Sequence, residues 1–211
     1  LIEKMNSRKP AASDKEKDLI SAMNERYSPD YPDIKRKTLN RAYSEQMQKL
    51  VNKYPGDQDI TALYIDAVML EHPWNFWNND GTSKAWTPEL VSLCEGILKL
   101  NQQHPGALHY YIHITEASRK PERALASANV LKDLLPGVAH MVHMSSHVYE
   151  RNGSYEKGVE VNEKADQDLV YYDSMVRHLK TVSLSRHVPH YFAVQTYCAL
   201  SGAMYRKGMS L

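Results

Sequence analysis

The sequence predicts an all-α fold built from successive helix pairs. Apolar residues recur at three- and four-residue spacing through almost every segment. No segment shows the sustained alternation or β-branched enrichment of strands. Pro and Gly punctuation divides the second half at regular intervals. The 211 residues are 42% hydrophobic and 24% charged, enough to bury a sizeable core.

Taken in order, residues 1–13 read as a polar N-terminal segment, and 14–211 as one helical repeat domain. Residues 14–27 open on Ser13 or Asp14, good N-cap types, and carry Leu19, Ile20, Met23 and Tyr27 on one face. After the turn SPDYPD, residues 33–54 hold one apolar stripe from Leu39 to Tyr54, closed by Pro55 and Gly56. Residues 58–71 form a third helix. The stretch 73–86 is an aromatic loop, long for a helix–helix connection. Residues 87–103 start on Thr87 as N-cap with Pro88 behind it. Four further helices of roughly 12–16 residues follow from HPGALHYYIHITEAS, RKPERALASANVLKDLLPG, VAHMVHMSSHVYERNG and SYEKGVEVNEKADQDL. Gly153 suits a left-handed stop between the last two.

Composition excludes several classes. A net charge of +1 lacks the basic excess of a dedicated nucleic-acid or membrane-surface binder. The single basic run, Lys35 to Lys37, reads as a solvated face. No apolar run is long enough for a membrane span. Two cysteines, Cys94 and Cys198, make neither a disulfide framework nor a Cys-rich zinc site, and both lie in apolar helical stretches. No signal peptide is visible, and a helical pattern stops without its partner at the last residues, so the chain reads as part of a longer repeat protein.

Helix pairs recur with a period of about 34 residues. From Ala139, the unit carries Val142, Ser145, Ser146, Tyr149, Gly153, Tyr155, Gly158 and Ala165. The preceding unit carries Tyr111, Ile114 and Thr115, then Ala124, Ala128, Leu131 and Pro136. Small residues suit helices that cross closely. On these positions residues 40–207 resemble the tetratricopeptide repeat (TPR) family, with Ser145 standing where Leu is usual. The stretches 104–118, 140–158 and 69–77 resemble more narrowly large uncharacterised bacterial TPR proteins, with no activity to carry over. The resemblance implies an α-solenoid of TPR-like helix pairs forming a right-handed superhelix. It further implies a concave groove that binds a peptide or protein partner.

The sharpest functional signal is histidine. His109, His113 and Glu116 fall within roughly 60° of one helix face, and His140, His143 and His147 do the same on the next first helix. His187 and His190 repeat the H-x-x-H spacing of His140 and His143. Five imidazoles and a carboxylate are therefore expected to aim into one hollow, with His187 and His190 at its edge. Two readings stay open. The first is a binding module or scaffold with a His-rich groove. The second is a transition-metal site of Zn or Cu on His109, His113, His143 and His147, with His140 and Glu116 beside them and metal-assisted hydrolysis within its chemistry. Met141 and Met144 interleave the histidines but point away as core. Ser145 and Ser146 read as packing residues rather than nucleophiles. In the aromatic loop, Trp74 and Trp77 are either partner anchors or a plug over a helix seam. Asp66 on the third helix is a further candidate for the same hollow.

Overall fold

The computed structural model describes residues 2–27, 35–176 and 188–211. Among them the fold is all-α, with no strand and one isolated bridge, Trp77 to Ser83. The helices are α1 (Ile2–Arg8), α2 (Asp14–Arg26), α3 (Arg36–Lys53), α4 (Gln58–Glu71), α5 (Thr87–Leu100) and α6 (Pro105–Thr115). They continue as α7 (Leu125–Leu134), α8 (Ala139–Arg151), α9 (Tyr155–Val176), α10 (Val188–Ser201) and α11 (Tyr205–Ser210). No described helix is long and apolar enough to cross a membrane.

Local chemistry accounts for most boundaries. Ser13 caps α2 through a full capping box: its hydroxyl accepts from the Glu16 amide and Glu16 reaches back to the Ser13 amide at 2.7 Å. Asp57 caps α4 by accepting from the Ile60 amide at 3.0 Å. Gly153, at φ +71°, makes the left-handed turn between α8 and α9.

Three local expectations are corrected. Thr87 is the first residue of α5 rather than its cap; its buried hydroxyl donates to the Phe76 carbonyl at 2.6 Å and ties the helix to the preceding loop. The helix after Arg119 opens on a 3₁₀ turn, Pro121–Ala124, with Pro121 at its first position, where no amide is needed, and continues as α7. The helix from Tyr155 runs to Val176, longer than its apolar pattern, and its last turns leave Tyr171 and Met175 exposed.

Consecutive helices pack against one another along the chain, and α4, α6, α8 and α10 also touch in succession. Those four form one row, with α5, α7 and α9 alternating between them. Small residues set the close approaches. The Ser145 hydroxyl donates to the Ala128 carbonyl at 2.8 Å across α7 and α8. A Cβ on Gly158 would stand 2.6 Å from the Cys198 sulfur, so the α9 backbone there lies directly on the Cys198 side chain of α10. The main core joins α2 through α9, with Tyr43, Met47, Ile65, Leu90, Ile112, Leu131 and Met144 fully buried. Met144 is therefore core as expected, and Cys94 and Cys198 are buried free thiols. Burial pushes the Cys198 thiol up to about 12.

Candidate metal centre

The touching row brings the histidines together. α6 contributes His109 and His113, and its C-cap is Glu116; α8 contributes His140, His143 and His147; α10 contributes His190. His187 lies outside the described residues.

The rings fall into two groups of three whose ligand nitrogens lie within 4.8 Å of one another: His109, His113 and His140, then His143, His147 and His190. In the first, the Nε2 atoms of His109 and His140 are 3.1 Å apart. In the second, the Nε2 atoms of His143 and His147 are 3.1 Å apart, and those of His147 and His190 are 3.3 Å apart. The groups adjoin, with the His113 and His147 ring centroids 6.1 Å apart. The sequence grouped four of these rings across α6 and α8; the structure instead divides six between two centres and brings in His190 as a full member.

Glu116 joins the two centres. This buried carboxylate lies 3.2 Å from His113 Nδ1 through Oε1 and 2.9 Å from His147 Nδ1 through Oε2. Burial alone would raise its pKa, but the hydrogen bonds from His113 and His147 outweigh that and hold it at about 2. It is therefore an acceptor only, and both Nδ1 atoms must donate.

Asn162 does the same for the second centre. Its amide nitrogen donates to the Gly158 carbonyl at 2.7 Å, which fixes the other amide atom, the oxygen, 2.6 Å from His143 Nδ1. His143 thus also carries its proton on Nδ1 and turns an Nε2 lone pair inward. Its ring is fully buried and stacked on Tyr191, with centroids 4.2 Å apart. Burial, then the neighbouring His147, lowers its pKa to about 2. Burial and the charges of His113 and His140 lower that of His109 to about 3.

Two neutral imidazoles protonated on Nδ1 cannot approach Nε2 to Nε2 without repulsion unless something positive lies between them. One proton can bridge two such nitrogens, and His190 brings a third Nε2 to 3.3 Å from that of His147. An ion at the Zn–N bond length of about 2.0–2.1 Å separates tetrahedral ligand nitrogens by about 3.3–3.4 Å. The observed 3.1 and 3.3 Å contacts lie close to that edge length. An Nδ1–H held by a carboxylate or amide oxygen is also the usual outer support of a metal-bound His.

The remaining candidates separate. Asp66 does face the first centre: it lines a cleft of about 230 Å³ with His109, His113, Tyr110 and Trp74. Its carboxylate is 3.7 Å from Arg26, and burial raises its pKa against the opposing pull of Arg26 and of a hydrogen bond with Tyr110. Trp74 is 72% exposed and meets the His113 ring edge-on at 5.0 Å. Trp77 plays the structural part, donating from its indole to the Ile114 carbonyl at 2.6 Å, which fastens the loop over α6. Ser145 and Ser146 spend their hydroxyls on backbone carbonyls, as packing residues do.

Sequence reasoning missed Asn162 and Tyr191. Asn162 carried one signal, a polar residue between the buried Val161 and Ala165 on the apolar side of α9. Tyr191 carried none beyond its place next to His190.

No family model, curated protein or solved structure matches the chain significantly.

Proposed function

We propose that this chain is a metal-binding helical-repeat protein of the tetratricopeptide type. In this reading α4, α6, α8 and α10 are the inner row of a right-handed α-solenoid. The row holds two transition-metal ions, one on His109, His113 and His140, the other on His143, His147 and His190. The observation that carries it is the 3.1 Å approach of the His143 and His147 Nε2 atoms, on rings whose Nδ1 atoms are committed to Asn162 and Glu116, with His190 Nε2 3.3 Å from that of His147. All-imidazole donors suit Zn or Cu, and Cu binds such sites more tightly. A three-His centre leaves a fourth position for water or substrate, which is the arrangement of catalytic rather than purely structural zinc. Metal-assisted chemistry on a bound small molecule is therefore within its reach.

Metal loading of protein made without a His tag tests the proposal. After stripping with chelator, reloading with Zn or Cu and desalting, elemental analysis should find about two equivalents retained. The melting temperature should rise with metal, since an ion that binds only the folded chain stabilises it by about 2.7 kcal/mol at a hundredfold excess over Kd. Retention of less than about a tenth of an equivalent, with an unmoved melting curve, rejects it.

The scaffold reading keeps one specific support. Phe192, Tyr197 and Leu200 leave apolar side chains exposed on α10. Recovery of a partner by the wild-type protein and not by a Phe192→Ser, Leu200→Ser variant would favour it.

A further inference from the structure

Resting on that metal-binding reading, we propose that the first centre is a ligand-binding centre. The cleft beside it takes a single aromatic ring whose hydroxyl oxygen occupies the open position of the ion on His109, His113 and His140.

The cleft enters from the side of His109 and His113, which both line it, while His140 approaches from α8. Its walls are apolar, with Met69, Leu70 and Pro73 on one part and the buried ring of Phe76 on another. A ligand that fills it must therefore present mostly hydrocarbon, and its polar atom must meet the histidines or Asp66. Size narrows the class further. The volume of about 230 Å³ exceeds the 150 Å³ or so of a cavity that admits benzene and falls below the 300 Å³ where drug-sized pockets begin. One substituted ring fills a space of this size.

Trp74 points to an aromatic occupant. The backbone holds it at φ +59°, a conformation that disfavours large side chains, and the indole is left 72% exposed at the mouth of an apolar cleft. The loop that carries it is anchored on both sides, by Trp77 on the Ile114 carbonyl and by Trp86 stacked on His72 at 3.6 Å. An exposed indole fixed this firmly is a ready stacking platform. Asp66 supplies the polar selection. Half-buried beside Arg26 and Tyr110, it can accept a hydrogen bond from a hydroxyl entering the cleft.

The test uses 4-nitrophenol, a single-ring hydroxyl compound whose visible absorption changes when its oxygen binds a metal, with toluene as the donor-free control. Metal-loaded protein should bind 4-nitrophenol saturably in equilibrium dialysis with a changed spectrum, and metal-free protein should bind it at least tenfold more weakly. Trp74→Ala should weaken binding roughly three- to tenfold while leaving metal content unchanged. Three results overturn the inference while the metal reading stands: metal retained with no binding up to millimolar 4-nitrophenol, toluene binding equally well, or Trp74→Ala binding 4-nitrophenol as tightly as the unaltered chain. Failure to retain metal at all overturns the metal-binding reading itself, and this inference with it.

Discussion

Acidifying the metal-free protein should destabilise it steeply, and the magnitude follows from two rings. His109 and His143 have folded-state pKa values of about 3 and about 2, lowered first by burial and then by neighbouring imidazoles. In the unfolded chain each returns to about 6.5. Below that value the unfolded state binds more protons than the folded one, so stability falls as pH falls, beginning near pH 6.5. At pH 5 each ring forfeits about 2 kcal/mol, whether its folded pKa is 2 or 3, because both values lie far below the measuring pH. The pair forfeits about 4 kcal/mol, a large part of a typical total of about 5–15 kcal/mol. At about 2–4 °C per kcal/mol for a chain of this size, the melting temperature should drop by roughly 8–16 °C between pH 7.5 and 5. Glu116 does not contribute in this window: its pKa is lowered to about 2, so its stabilisation is lost only below about pH 4.5. Asp66 works in the opposite sense, since its pKa is raised and acid relieves it. The assay is thermal unfolding by circular dichroism, with chelator present throughout. A melting temperature constant to within about 2 °C across that range would show that the rings are solvated and separate, and the packing argument for the centres would fail.

Two further predictions concern single residues. Glu116→Gln should weaken metal binding at one of the two centres by about 10–100-fold, measured by competition with a chelating dye. Gln offers one carbonyl oxygen and one amide nitrogen, so either His113 or His147 must move its proton to Nε2 and stop being a ligand; an unchanged affinity would remove Glu116 from the centres. Gly158→Ala should lower stability by about 1–3 kcal/mol in urea unfolding, because the added methyl meets the Cys198 sulfur. Cys198→Ala in the same chain should restore most of the loss, and additivity of the two changes would show that the contact is not the cause.

Much of the architecture was legible beforehand, and the legible parts share a cause. The spacing of Leu39 to Tyr54, the cap at Ser13, and the stops at Gly56 and Gly153 are local devices, decided within a turn or two of chain. The same local periodicity placed His109 with His113, and His140 with His143 and His147, on common faces. The role of Thr87 was not legible because a Thr near a helix start has two good uses, capping the helix or bonding the preceding loop, and the Phe76 carbonyl took its hydroxyl.

What the sequence by itself determined is an all-helical chain whose imidazoles recur in stripes, because helical periodicity is a property of neighbours in the chain. What only the tertiary structure decided is how those stripes divide. The contacts of α6 with α8 and of α8 with α10 assign His140 to the rings of α6 and His190 to those of α8, and they bring Glu116 within reach of both groups. Asn162 reaches His143 from 19 positions away, through the packing of α9 on α8. Helix-to-helix register depends on many small side chains fitting at once, and no single stretch of sequence contains it.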